Sequence, residues 1–227
     1  MKTAFGVRKK CYKCYRPQSS CMCKYIRGIE TNTKFVVLMH PKEFKKVKNG
    51  TGHLTHLSLK NSQLFVGIDF THHKRVNEII KEYDSYILYP SKEAINISKE
   101  SIKSEKKIAI FIIDSTWSCS IKMFRDSKNL KLLKHISFDS TKLSQFKIKE
   151  QPKDHCLSTI ESTFSVLEIL GRWNIESTKK EHLDSFLDPF NKMVKYQQET
   201  CKDIAKKSLR YKSNRSSSVK NNSTEPN

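Results

Sequence analysis

The sequence predicts an α/β fold built on a mostly parallel sheet, and three observations carry that prediction. Short apolar runs rich in β-branched residues recur along the chain, as strands buried on both faces require. Stretches with helical spacing fall between them, and strands alternating with helices argue for parallel pairing. At the amino terminus a tight cluster of cysteines sets a small metal-binding segment apart from the rest.

Taken in order, the first strand is read over 34–39 (KFVVLM), ending at His40-Pro41. Leu54, Leu57 and Leu59 give 51–60 a helical spacing, and 63–67 reads as a second strand. A short helix over 76–82 and a strand over 85–90, closed by Pro90, follow. The run Ile108-Ala109-Ile110-Phe111-Ile112-Ile113 has the length and composition of a buried parallel strand, with a helix expected around 121–126. From Ser158 to Leu170 the chain is amphipathic, with Ile160, Phe164, Leu167 and Leu170 on one face. Beyond Tyr211 it is polar and aperiodic, so disorder is expected there. The six glycines form neither a G-x-G-x-x-G turn nor a P-loop. Any nucleotide-like cofactor must therefore be held by loops of another kind.

Cys11, Cys14, Cys21 and Cys23 make a C-x2-C-x6-C-x-C array. In a reducing compartment four thiols this close read as one tetrahedral metal site, for which Zn2+ is preferred and an iron–sulfur cluster is the competitor. Pro17, Ser19 and Ser20 permit the reversal that brings the pairs together. Four protein ligands leave no open position, so the metal's expected role is structural. Cys119, Cys156 and Cys201 are scattered and read as inert.

The charge balance, 43 basic against 23 acidic residues, leaves a formal +20. Such an excess favours polyanions, nucleic acid or an anionic membrane surface, although a lysine-rich solvated surface also contributes. No apolar stretch approaches the roughly 18 residues of a spanning helix. MKTAFGVRKK lacks the apolar segment of a secretory signal, so a cytoplasmic protein that does not span a membrane is expected.

Asp114-Ser115-Thr116-Trp117 directly follows the 108–113 strand. A carboxylate, a hydroxyl and an indole thus sit past the carboxyl end of a central strand, where ligands bind in open α/β sheets. The same residues also suit a plainer reading, in which Asp114 caps the next helix and Trp117 packs in the core.

The motif and its surroundings resemble the DTW-domain proteins, named for an Asp-x-Thr-Trp segment matched by Asp114, Thr116 and Trp117. The family's cysteine cluster is matched by Cys11, Cys14, Cys21 and Cys23, and a His-Pro-x-Glu segment by His40, Pro41 and Glu43. An Asn-Thr-Gly-Arg-Leu segment is matched imperfectly by Asn49, Thr51, Gly52, His53 and Leu54. Tyr89-Pro90, Lys122-Met123, and Pro152 with Cys156-Leu157-Ser158-Thr159-Ile160-Glu161 complete the series. Gly50 interrupts one block, His53 stands where arginine is usual, and Lys149 replaces another arginine; lysine keeps that charge but loses the planar fork. Ser115 for glycine and Ser120 for alanine are mild changes.

The resemblance implies a SPOUT-like knotted core and an activity on transfer RNA. The 3-amino-3-carboxypropyl group of S-adenosylmethionine would move to N3 of a uridine, releasing 5′-methylthioadenosine, as in bacterial tRNA-uridine aminocarboxypropyltransferases. It implies a four-cysteine zinc segment over 1–28, a catalytic domain over 29–210 and a tail over 211–227. Asp114 is the candidate catalytic residue, either as the base for N3–H or as the group that orients the cofactor ammonium. Thr116, Trp117, Leu157, Ser158, Thr159, His40 and Pro41 are candidates for holding S-adenosylmethionine. Trp117 would act through its ring face, and Leu157–Thr159 through helix N–H groups. Glu161 has the alternative of closing a capping box with Ser158. Lys122, Lys149 and Asn49 are candidates for contacting the RNA substrate; His72-His73 is given no role. Two rivals stand beside this reading: a SPOUT-like RNA methyltransferase, and a non-catalytic, zinc-stabilised RNA-binding module.

Overall fold

The computed structural model describes residues 9–45, 50–140, 144 and 157–200. Six strands form one sheet: β1 (Lys34–Met39), β2 (Ser62–Val66), β3 (Asp84–Leu88), β4 (Ile95–Asn96), β5 (Ile108–Asp114) and β6 (Lys134–Ser137). Their order is β2-β1-β5-β3-β6-β4 and every pairing is parallel. The sheet is thus more uniform than the expected mostly parallel one. Of the helices that cover it, α1 spans Pro41–Lys45, α2 Gly52–Ser58, α3 Lys74–Glu82, α4 Trp117–Asp126, α5 Thr159–Arg172 and α6 Lys180–Asp184. A further helix runs over 188–200.

The core has two halves, one on each face of the sheet. Phe35, Ile108, Ile110 and Ile112 face Leu54 of α2 and Ile160 and Leu167 of α5. Val36, Leu38, Ala109 and Phe111 face Val76 and Ile79 of α3 and Met123 of α4. Alternate residues of β1 and β5 therefore go to opposite apolar layers, which is why both segments read as unbroken apolar runs. Buried Glu176 fixes the start of β1, accepting the N–H groups of Asn32 (3.0 Å) and Thr33 (2.5 Å).

β1 and β5 match the expected strands to within a residue. β4 and β6 were not foreseen, since two and four half-polar edge residues carry little pattern. The expected helix at 121–126 begins earlier, at Trp117. No helix among the described residues is long and apolar enough to cross a membrane. Asn49, Lys149, Cys156, Cys201 and the tail beyond Tyr211 lie outside the described residues.

Candidate functional site

Asp114 is the last residue of β5, opposite Met39 of β1, and its carbonyl accepts the His40 N–H at 3.0 Å. The next strands in sequence leave these two in opposite directions across the sheet, so their carboxyl ends flank a switch point of the kind that receives ligands. The Asp114 side chain is buried, 7% exposed, and Oδ1 accepts the Thr159 hydroxyl at 2.5 Å. On its other side lies Gly52, the first residue of α2. A Cβ there would collide with the Asp114 carboxylate and lie 2.8 Å from Met39 Cε, so this close approach requires glycine. Three segments distant in sequence thus hold one carboxylate: the end of β5, the start of α2 and the start of α5.

His40 and Pro41 sit beside it. Pro41 opens α1, where its missing N–H costs nothing. His40 is buried and its Nδ1 accepts the Lys42 N–H at 3.1 Å, which places the remaining ring proton on Nε2. Burial, then the charges of Lys42 and Lys122, push the imidazole below its ordinary value, so it is neutral at pH 7. Lys122 itself is exposed on α4, close enough for that charge to be felt.

Trp117 is where the plainer reading fails. It is 55% exposed, not packed in the core. Its ring lies parallel to Tyr89, with centroids 6.1 Å apart and planes 8° apart. Tyr89 in turn stacks on Phe124 at 4.5 Å, and His135 closes edge-on against both rings. Asp114 does not cap α4 either: the N-cap is half-buried Thr116, and no side chain caps that helix start. The Thr116 hydroxyl lies 3.4 Å from that of Ser118. An aromatic ladder therefore runs from the mouth of the sheet toward solvent, starting three residues after the buried carboxylate.

The start of α5 is built differently. Glu161 accepts the Ser158 N–H at 2.9 Å and its hydroxyl at 2.6 Å, so the capping box that the sequence offered as Glu161's alternative role is present. Ser144 also donates to Glu161, at 3.0 Å. Leu157 is half-buried and Ser158 buried. The Ser158 backbone N–H and the Thr159 hydroxyl are thus committed to Glu161 and Asp114 inside the protein.

The cysteine array folds as one knuckle. Cys11 N–H donates to the Arg16 carbonyl at 2.7 Å and Tyr15 N–H to the Cys11 carbonyl at 2.8 Å, with Tyr15 at φ 58°. All four Sγ atoms lie within 4.8 Å of one another, with Cys11–Cys23 at 3.6 Å and Cys14–Cys21 at 3.8 Å. Tetrahedral zinc with bonds of about 2.3 Å sets its sulfurs ~3.8 Å apart, whereas a disulfide needs about 2.05 Å. The donor set therefore fits a four-coordinate thiolate metal. The Cys14 N–H directed at Cys11 holds that thiol down to about 6, while burial pushes Cys21 and Cys23 up.

Two residues join this knuckle to the site. Arg16 is 1% exposed and donates through Nη2 to the Gly50 carbonyl at 2.7 Å, just ahead of α2, and to Met193 Sδ at 3.0 Å. Burial pushes its guanidinium down and the charges of Cys14, Cys23 and Cys21 raise it, so thiolates are its natural counter-ions. Sequence reasoning missed it, because nothing in the sequence distinguishes this arginine from the others. His53, second in α2, packs between Tyr15 and Phe44 with centroids at 5.2 and 5.3 Å. Burial, then the charges of His56 and Arg16, hold it down to about 4, so the ring is neutral at pH 7.

Relatives can be set beside this geometry. The chain is 30% identical over 173 residues to tRNA-uridine aminocarboxypropyltransferase 2 of mouse (Mus musculus), covering 74% of this chain and 58% of that protein. It is 27% identical over 197 residues to the protein of the same name from Drosophila melanogaster, covering 84% and 75%. The chain thus spans less than two thirds of the mouse protein it matches. No solved structure matches it. The family model described as DTW domain matches residues 8–198, which takes in the cysteine knuckle, the Asp114 crevice and the helices that open on it; the chain belongs to the DTW domain family.

Proposed function

We propose that this protein is a tRNA-uridine aminocarboxypropyltransferase that uses S-adenosylmethionine and modifies N3 of a uridine. The observation that carries the reading is a buried carboxylate at the carboxyl edge of the central parallel strands, three residues from an exposed tryptophan, in a chain whose relatives bear that name. In the reaction the N3 lone pair forms the new bond to Cγ as the Cγ–sulfonium bond breaks. The bonding electrons return to sulfur as a neutral thioether, and the N3 proton leaves to a base.

This chain supplies orientation and charge. Thr159 and Gly52 fix the Asp114 carboxylate in one pose, where it either takes the N3 proton or receives the ammonium so that Cγ faces N3. Trp117 offers an exposed ring face to a cation or a base. Neutral His40 presents an Nε2–H donor, and Lys122 and the overall charge of +20 suit a polyanion. Because the α5 start is already capped, its contribution is to hold Asp114 through the Thr159 hydroxyl, with Leu157 and Ser158 leading into that helix.

Zinc on the four cysteines is the fitting structural metal, and clustered free thiols support a cytoplasmic location. A SPOUT-like knotted core belongs to the same reading, beside the all-parallel sheet on which it would be built. The division into 1–28, 29–210 and a tail from 211 is part of the same reading.

The test is nucleoside mass spectrometry after incubation with unmodified tRNA and S-adenosylmethionine, run beside Asp114→Ala and Asp114→Asn. A uridine heavier by one aminocarboxypropyl group, lost in both variants by about 10²-fold or more, is expected. Asp114→Asn separates the roles: weakened cofactor affinity marks a positioning group, a lower kcat at unchanged affinity marks a base. A methylated nucleoside, or none, sinks the proposal.

A further inference from the structure

Against the cysteine knuckle lies a groove of about 540 Å³, between the knuckle and the helix over 188–200 and lined by none of the residues placed around Asp114. Lys24, Lys192 and Lys195 line it, together with Tyr25, Tyr196 and Glu199. All three lysines are exposed, and none makes an ion pair among the described residues, not even with Glu199. Lys24 and Lys192 both lean on the Tyr25 ring, their Nζ atoms 5.0 and 5.7 Å from its centroid. The aromatic ring thus gathers two cations that would otherwise repel each other. Residues 9–28 around it hold six basic and no acidic side chains.

We infer that this groove is a second RNA-binding surface, gripping the phosphates of a single-stranded stretch of the tRNA substrate away from the Asp114 crevice. The inference rests on the tRNA reading above. Three cations against one carboxylate, without ion pairs among the described residues, form a net positive slot that phosphodiesters complement and basic or apolar partners do not. Half-buried Tyr196 supplies a ring on which a base can stack, and aromatic rings interleaved with lysines are the usual platform for unpaired nucleotides. The volume lies within the range that holds a ligand of nucleotide size. Cys21 also lines the groove, so the metal knuckle shapes one wall, which gives a structural metal site a direct part in binding the substrate.

The experiment measures the affinity of the full-length chain for a fluorescent unmodified tRNA transcript over a range of salt. Wild type is compared with Lys192→Glu/Lys195→Glu and with the milder Lys192→Gln/Lys195→Gln. Both pairs are expected to weaken binding, the reversal by roughly ten-fold or more, and to flatten the log–log salt slope by about 2. Bound zinc and the thermal shift with S-adenosylmethionine should stay at wild-type values in the Gln pair, which separates lost contacts from lost folding. Equal affinity and slope in wild type and both variants, with tRNA still modified, overturns the groove and leaves the enzyme reading standing. Failure of wild type to bind tRNA at all overturns both.

Discussion

Of the three helices that begin near Asp114, α4 and α5 begin in opposite ways. α5 starts closed: Glu161 satisfies Ser158, Ser144 satisfies Glu161, and Thr159 turns its hydroxyl to the catalytic candidate. α4 starts open: Thr116 caps it with backbone alone, and the next residue pushes an indole into solvent. A closed helix start spends its polar groups on holding the protein together, whereas an open one keeps them for a ligand. The same short motif chemistry, small hydroxyl residues at a helix entrance, therefore gives two different helix starts beside one carboxylate.

Substitutions can break that contrast. The largest effect is expected at the open end: Trp117→Ala should weaken cofactor or RNA binding by about 1–3 kcal/mol, the worth of a stacked ring. Because the ring is half exposed, the melting temperature should barely move; a large fall in it would mean the indole is structural after all. At the closed end Glu161→Ala should do the reverse. Loss of the cap should cost about 1 kcal/mol, or ~2–4 °C in melting temperature, and activity should fall only as far as Thr159 and Asp114 shift. Unchanged stability there would mean the capping box contributes nothing.

The smallest effect comes from α2, which also starts against Asp114. Its His53 is held down to about 4 by burial, against an ordinary value of 6.5. Above pH 6.5 that histidine is neutral in both folded and unfolded chains. As pH falls from 6.5 toward 4 the unfolded chain takes up a proton that the buried ring refuses, so stability declines over that window. Wild type should therefore lose more melting temperature between about pH 7 and pH 5 than His53→Phe, whose ring packs against Tyr15 and Phe44 without titrating. Parallel losses in the two proteins would remove His53 from the account.

What the sequence disclosed follows from how each feature is encoded. β1 and β5 were legible because burial on both faces writes an unbroken apolar run, and the cysteine knuckle because metal geometry fixes residue type and spacing. The capping box could be read for the same reason, as a local pattern of Ser158 and Glu161. β4 and β6 escaped notice because a short edge strand needs few apolar residues. The exposure of Trp117 was ambiguous because an indole suits a core or a ligand equally. Arg16, the contact of Gly52 with Asp114 and the Lys24–Lys192–Lys195 groove depend on segments far apart in the chain, and no local pattern announces such meetings.

The position of β5 also bears on how the molecule assembles. Lys34 pairs with Ala109 and Asp84 with Ile108, so the strand that ends in Asp114 must enter between two neighbours made before it. During synthesis β1 and β3 emerge first and present bare inner edges until that later strand arrives, a slow, long-range step that exposes pairing surface to other chains. The strand that closes this gap is also the one that delivers the carboxylate. A chain without this insertion has neither a finished core nor a site, so core and site are completed by the same pairing.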